Sequence, residues 1–151
     1  MMKVRDLMEQ TIKTLQSTDD LTLAEDIMRL DRIRHLPVLS GERLAGILTQ
    51  RDLFRAAISS VLRIRPSIER EWLLKIPVWE IMTSPVVTTS PDTTIRAALE
   101  IMLQRRIGCL PVVDGERLVG LLTETTCMKY LAHLLRLVEE RADLPNLSGL
   151  D

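Results

Sequence analysis

The chain has 151 residues and a formal net charge of -1, with 46% hydrophobic and 27% charged residues. This apolar content excludes a disordered chain, and the near-neutral charge gives no overall field that would attract nucleic acid or an anionic membrane. Two cysteines are too few for a disulfide framework and lack the clustered partners of a zinc site. No apolar run has the roughly 20 residues of a membrane span, and the N-terminus lacks a signal-peptide core, so we expect a cytoplasmic protein.

The first elements in chain order are an extended segment over residues 11–15 and an amphipathic helix. Apolar residues recur at helical spacing after Asp20, and the polar residues 17–20 are typical of a helix start. The segments "HLPVL" from His35 and "RLAGIL" from Arg43 then flank a glycine-containing turn, which predicts a β-hairpin. Thr49 follows as the expected N-cap of a second helix. The predicted order is therefore β-α-β-β-α.

A connector follows the first set of elements. Pro66 interrupts it, and "SIEREWLLK" over residues 67–75 predicts a short helix. Because Trp72, Leu73 and Leu74 are apolar, we expect this connector to pack against a surface.

The pattern of the first half then repeats. Residues 4–57 align without a gap with residues 78–131, and 18 of the 54 aligned residues are identical. In this copy the helix start is predicted at residues 90–92, and Pro111, like Pro37, is expected where a strand does not need its N–H. A solenoid takes about three units, so two copies predict two half-domains that face each other. We divide the chain into a first repeat (1–60), a connector (61–77), a second repeat (78–137) and a tail (138–151).

Each repeat resembles the cystathionine-β-synthase (CBS) domain. "RHLPV" and "GILTQRDL" are similar to the family's central motif, an LPV strand followed by G-h-h-[ST]-x-x-D, in which h is apolar. The resemblance implies a stand-alone CBS pair of mixed α+β class, with two β-α-β-β-α units packed through their small sheets about a pseudo-twofold axis. Two clefts would lie between the units. In this family such clefts often bind AMP, ADP, ATP, S-adenosylmethionine or NAD, and the pairs commonly form homodimers.

Thr49 and Asp52 match the motif in the first repeat. The resemblance implies that Asp52 binds the ribose hydroxyls and that Thr49 helps to hold ribose or phosphate. The chemistry suits this task, because a carboxylate offers two acceptor oxygens and a helix N-terminus offers free N–H groups to an anion. The same two residues also match a helix capping box, which needs no ligand. Both interpretations are open at this stage.

The second repeat keeps Thr123 but has Thr126 where the first has Asp52. A hydroxyl binds less strongly than an ionised carboxylate, so we expect one strong adenosine site and a weaker second cleft.

Further candidate ligand contacts come from the resemblance. In relatives, basic residues at the positions of Arg34 and His35 can meet phosphate, and Arg51 is a further candidate because the second repeat has Thr125 there. The sequence leaves open which cleft these residues face and whether they merely solvate a surface. The apolar slot for adenine has four candidate residues in each repeat: Ile12, Thr14, Leu36 and Pro37 in the first, and Val86, Thr88, Leu110 and Pro111 in the second. Packing in the core is the alternative role for all eight residues. For Leu36 and Leu110, core packing is the preferred interpretation.

These observations predict a regulatory module that senses an adenosine compound and acts on an unidentified target protein. The sequence assembles no Ser/His/Asp or Cys/His set and no metal-ligand spacing, so we expect neither an enzyme nor a bound cofactor or metal. The alternative is a dimerisation scaffold that binds no ligand. The helices that contain "IMRLDRI", "FRAAISSVL" and "MKYLAHLLRLV" carry enough apolar surface to form a symmetric dimer.

Overall fold

The fold consists of two copies of one unit. The computed structural model describes residues 1–61, 71 and 73–141. The first unit contains β1 (Leu15–Gln16), α1 (Leu21–Asp31), β2 (His35–Ser40), β3 (Arg43–Thr49) and α2 (Gln50–Val61). The second contains α3 (Ile95–Arg105), β4 (Cys109–Asp114), β5 (Arg117–Thr123) and α4 (Glu124–Glu140). The predicted mixed α+β class and both predicted hairpins are confirmed.

Polar side chains define where the helices begin. Asp20 accepts hydrogen bonds from two backbone N–H groups in the first turn of α1, as the sequence predicted. Helix α3 starts later than its predicted position, because Thr94 is the residue whose side chain caps it. The Ser90 and Thr93 hydroxyl groups instead lie 3.1 Å apart in the preceding turn.

The leading strand of each unit is short. In the first unit β1 pairs in parallel with β2 over two residues, whereas in the second unit a single bridge joins Thr89 to Val112. There the Thr89 N–H donates to the Pro111 carbonyl at 3.0 Å. Because the nitrogen of a strand residue lies on the same side as its carbonyl, the missing N–H of Pro111 removes no hydrogen bond to β5. The prediction for this proline is confirmed.

A local twofold axis relates the two units. Strands β3 and β5 pair at Arg43 and Arg117, which are equivalent positions of the two repeats. A small apolar cluster with members from both units lies between them; it consists of Ile47, Cys109 and Leu121, with Ile12 and Val86 packed against it.

The segment before the first unit crosses to the second unit. There the Val4 N–H donates to the Thr93 carbonyl at 2.8 Å, and Glu9 forms two backbone hydrogen bonds with Leu121, each of 2.9 Å. Val4 is fully buried in the core of the second unit. The N-terminal segment therefore completes a core that does not belong to its own repeat.

The segment before the second unit makes the reciprocal crossing. The Val78 N–H donates to the Asp19 carbonyl at 2.7 Å, and Thr83 forms two backbone hydrogen bonds with Ile47, of 2.9 and 3.1 Å. Val78 is fully buried in the core of the first unit. The two units are therefore interlocked by an exchange of their leading segments.

The connector is described only in part. Leu73 is buried in the core of the first unit, whereas Leu74 is 54% exposed. Trp72, most of the predicted connector helix and the tail from residue 142 lie outside the described residues, and the predicted domain boundaries stay a prediction. Among the helices that are described, none combines the length and apolar character of a membrane span.

Two glycines of the repeated motif make room for the crossing segments. A Cβ atom at Gly46 in β3 would lie 2.5 Å from Met82 Sδ and 3.0 Å from the Thr83 carbonyl oxygen. A Cβ atom at the equivalent Gly120 in β5 would overlap Met8 in the same way. Each glycine is therefore required by close approach of the other repeat's leading segment.

We expect Gly46→Ala to lower the free energy of unfolding by about 1–3 kcal/mol, the usual cost of overpacking. Met82→Ala should relieve part of this clash, so the double variant should lose less than the sum of the two single losses. Urea unfolding of the four proteins measures this coupling. The control pairs Gly46→Ala with Met102→Ala, a buried methionine of the other core, for which the losses should add. If the losses of stability are additive in both pairs, the close approach of Met82 to Gly46 is not what makes an alanine at residue 46 destabilising.

Candidate functional site

A cavity of about 1010 Å³ lies between the two units at the start of α2. Its size is at the upper end of the range of about 300–1000 Å³ that is typical of small-molecule sites. Five predicted residues of the first unit line it: Arg34, His35, Thr49, Arg51 and Asp52. The second unit lines it too, with Arg106, Ile107, Gly108, Cys109 and Glu124. The structure therefore brings the basic residues and the motif residues of the first repeat to one cavity with walls from both repeats.

Thr49 and Asp52 form a capping box at the start of α2. The Thr49 N–H donates to Asp52 Oδ2 at 2.9 Å, and the Asp52 N–H donates to Thr49 Oγ1 at 3.1 Å. Both residues are half-buried. Asp52 Oδ1 makes no hydrogen bond within residues 1–61, 71 and 73–141. The capping interpretation is thus confirmed, and it leaves one carboxylate oxygen available at a cavity wall.

His35 lies between charged groups of the two units. Burial lowers the pKa of His35, and Arg34 lowers it further, while the Glu124 and Asp52 carboxylates raise it. Burial has the largest effect, so the neutral form of His35 is favoured.

Gly108 allows the second unit to approach His35. A Cβ atom at this position would lie 3.1 Å from Glu124 Oε2 and 3.4 Å from His35 Nε2. The equivalent position of the first repeat is Arg34. A glycine on this side of the cavity therefore gives the His35 ring and the Glu124 carboxylate the space they occupy.

The equivalent region of the second unit contains a different set of polar groups. The Thr126 N–H donates to Thr123 Oγ1 at 3.2 Å, and the two hydroxyl groups lie 3.0 Å apart. The Thr126 hydroxyl donates to the carboxylate of Glu9, which belongs to the crossing N-terminal segment. Thr123 therefore caps α4 as predicted, and a carboxylate from elsewhere in the chain lies beside Thr126.

The predicted adenine-slot residues do not gather at the large cavity. Four of them are fully buried: Leu36, Pro37, Leu110 and Pro111. Ile12 and Val86 pack on the cluster between the units, and Ile12 and Thr14 border a separate cavity of about 520 Å³. Thr88 is half-buried and lines neither of these two cavities. The two leucines for which core packing was preferred do lie in the cores.

Sequence reasoning missed the residues that reach a cleft from the other repeat. Arg106 and Glu124 of the second unit line the large cavity, as does Thr83 of the crossing segment. The alignment of the repeats does not mark them, because their equivalents, Arg32, Gln50 and Glu9, are not among the candidate site residues. It does not show that the units face each other across this cavity.

The site offers little to a metal or to thiol chemistry. No group of three His, Cys, Asp or Glu side chains in the described part of the chain is arranged to hold a metal ion. Burial raises the pKa of the Cys109 thiol far above its ordinary value, and the Glu9 carboxylate raises it further, so this cysteine stays protonated.

Comparison with known proteins identifies relatives of both repeats. The family model described as CBS domain matches residues 4–59 and 78–133. A Vibrio cholerae protein with a proposed role in acetoin utilization (AcuB) is 34% identical, covers 96% of this chain and 99% of its own, and superimposes with a TM-score of 0.77. The CBS domain pair of protein MJ0100 was solved with 5′-methylthioadenosine and S-adenosyl-L-methionine. It is 25% identical, covers 87% of this chain and 97% of its own, and has a TM-score of 0.71.

The curated relatives are of two kinds. The CBS domain-containing protein YhcV of Bacillus subtilis is 28% identical over 80% of this chain and 79% of its own length. The A-adding tRNA nucleotidyltransferase of Geobacter sulfurreducens is 31% identical over 83% of this chain, but the match covers 13% of that enzyme. The chain spans between 13% and 41% of the first five curated relatives, so what is shared with those proteins is one region.

The environment of His35 predicts a pH dependence of stability. Its pKa lies below the 6.5 of an unfolded histidine, so the unfolded chain binds a proton first as the pH falls. This contribution to stability is present above pH 6.5 and is lost as the pH falls below it. Between about pH 7.5 and pH 5, wild-type protein should therefore lose more stability than His35→Gln in urea unfolding.

The matched control is His133→Gln, which removes an exposed histidine of α4 and should keep the wild-type pH dependence. If His35→Gln has the same pH dependence of stability as wild type, the assignment of a lowered pKa to His35 is contradicted.

Proposed function

The chain belongs to the CBS domain family, and on that premise we propose that it is a regulatory module that senses an adenosine compound in the large cavity between its units. The observation that carries the proposal is the convergence of Thr49, Asp52, Arg34 and His35 on that cavity, with one oxygen of Asp52 available. Regulation is assigned rather than catalysis, because the enzymes among the relatives match this chain over only part of their length.

The chemistry of the cavity supports an adenosine ligand with a ribose at Asp52. Hydrogen bonds from hydroxyl groups to a carboxylate contribute about 1.5–3 kcal/mol each. Five arginines line the cavity against three carboxylates, which favours a ligand that also carries negative charge; they are Arg29, Arg34, Arg51, Arg55 and Arg106 against Glu25, Asp52 and Glu124. The MJ0100 pair, which binds two adenosine compounds, supports the ligand class.

The walls of the cavity suggest how binding would act on a target protein. A ligand held by Asp52 of the first unit and by Arg106 or Glu124 of the second would favour one relative arrangement of the units. A ligand shifts such an equilibrium only by its difference in affinity for the two arrangements. The regulated target would then respond to the arrangement of the pair.

A thermal-shift panel of AMP, ADP, ATP, S-adenosylmethionine and NAD tests the proposal. A ligand at 100 times its Kd should stabilise the wild-type protein by about 2.7 kcal/mol. Asp52→Ala should weaken binding by about 10- to 150-fold, the equivalent of one charged hydrogen bond. The ligand-induced rise in Tm should fall accordingly.

Asp52→Ala also removes a helix cap, so the shift is measured against each variant's own Tm. The control is Thr94→Ala, which removes the cap of α3 and should lower Tm by a similar amount without changing the ligand-induced shift. A full shift in Asp52→Ala would overturn the assignment of Asp52. No shift with any of the five compounds would favour the scaffold without a ligand.

We also propose that the module forms a homodimer through α2 and α4. Phe54 and Met128 occupy equivalent positions on these helices, and each is 65% exposed. Ile58 and Leu131 continue the two apolar surfaces at 46% and 48% exposure. Related surfaces on two helices suit a second copy of the chain, because a twofold interface pairs each patch with itself.

Light scattering after size exclusion tests the dimer. Wild-type protein should have twice the chain mass of 17.2 kDa, and a double variant Ile58→Glu/Leu131→Glu should have the mass of one chain. Leu103→Glu is the control, since Leu103 is 77% exposed on α3 and should leave the mass unchanged. A wild-type mass of 17.2 kDa would contradict the proposal.

A further inference from the structure

A second cavity, of about 520 Å³, lies at the turn of the first hairpin. Its walls come from the crossing N-terminal segment, from the turn between β2 and β3, and from the start of β5, so both units contribute. Among the residues that the structure describes, none lines both this cavity and the large one. Its volume lies within the range of about 300–1000 Å³ that is typical of small-molecule sites. It is therefore a separate candidate site.

Two opposite charges line this cavity without binding each other. They are Glu42 of the turn and Arg117 of β5, and neither side chain forms an ion pair or a hydrogen bond in the described part of the chain. The equivalent residues at the other turn, Glu116 and Arg43, do bind each other, since Arg43 Nη2 donates to Glu116 Oε1 at 2.8 Å. Both turns thus have the same two residue types, but the first leaves its charges available to a ligand.

A side chain of β1 holds the turn that carries Glu42. Gln16 Nε2 donates to the Gly41 carbonyl at 3.2 Å, and the Gly41 N–H donates to Gln16 Oε1 at 3.2 Å. The equivalent of Gln16 in the second repeat is Ser90, whose shorter side chain lies against Thr93 instead. The first turn therefore has a support of its own, and the cavity wall that it forms has a fixed position.

The lining suits a molecule that carries both charges. The planar guanidinium group of Arg117 can bind a carboxylate through two parallel hydrogen bonds, and Glu42 can accept hydrogen bonds from an ammonium group. The Thr14 hydroxyl adds a neutral polar group. Half-buried apolar side chains complete the walls; they include Ile12, Leu118 and Val119. A ligand with a carboxylate, an ammonium group and an apolar portion matches these groups.

We propose that this cavity binds a free α-amino acid with an apolar side chain. Its carboxylate would bind Arg117, its ammonium group would bind Glu42, and its side chain would lie against Ile12 and Val119. Ile12 and Thr14, which the sequence suggested as adenine contacts, would then serve a different ligand. The inference does not depend on the adenosine site, because no described residue is common to the two cavities.

Calorimetric titration of the full chain with valine, leucine, isoleucine, methionine and phenylalanine tests this inference. At least one of them should bind wild-type protein with one ligand per chain. Glu42→Gln and Arg117→Gln should each weaken its binding by about 10- to 150-fold, the equivalent of one hydrogen bond to a charged group. The amide of that amino acid, which lacks the carboxylate, and its deaminated acid, which lacks the ammonium group, should bind wild type more weakly by a similar factor.

The matched controls are Arg43→Gln and Glu116→Gln. Each breaks the ion pair at the equivalent turn, but neither residue lines the cavity. Both variants should therefore bind the amino acid with the affinity of wild type.

Three results would overturn the inference. The first is that none of the five amino acids binds wild-type protein. The second is an affinity that is unchanged in Glu42→Gln and Arg117→Gln, or an amide or deaminated acid that binds as tightly as the amino acid. The third is an equal loss of affinity in the two controls, which would assign the effect to the turns rather than to the charges in the cavity. Each of these results leaves the proposed adenosine function standing, because the residues that are changed do not line the large cavity.

Discussion

The exchange of leading segments is the constraint on which the rest of the structure depends. Val4 is buried in the core of the second unit and Val78 in that of the first, so neither core is complete without the other repeat. The glycines of the motif hold this arrangement, because Gly46 leaves space for Met82 and Gly120 leaves space for Met8. The motif glycines that precede Thr49 and Thr123 in sequence are thus explained by packing.

The same exchange determines what each cleft contains. A crossing segment that pairs with β3 or β5 ends beside the start of the helix that follows that strand, and so it brings Thr83 or Glu9 to the motif. The large cavity also takes Arg106 and Glu124 from the opposite unit. A molecule bound there would touch elements of both repeats, which is the physical requirement for a ligand to report on how the units are arranged.

Local signals predicted the units, and contacts distant in sequence decided the site. The hairpins and the caps at Asp20, Thr49 and Thr123 follow from residue types within a few positions of one another. The burial of Leu36 and Pro37 could not be predicted from neighbouring residue types, because whether a strand residue lies in a core or at a cavity depends on what covers the sheet. The contact of Met8 with Gly120 spans most of the chain, and only the repetition of both residues in the second copy hints at it.

Capping and ligand binding do not compete for Asp52, because a carboxylate has two oxygens. The bond from the Thr49 N–H to Oδ2 fixes the side chain, so a ligand bound at Oδ1 would cost it less rotational freedom. Thr126 fixes Glu9 in a comparable way through its hydroxyl, although Glu9 comes from the crossing segment. The two contacts differ in kind, because Asp52 is held by a backbone N–H that any residue except proline offers, whereas Glu9 is held by a side-chain hydroxyl.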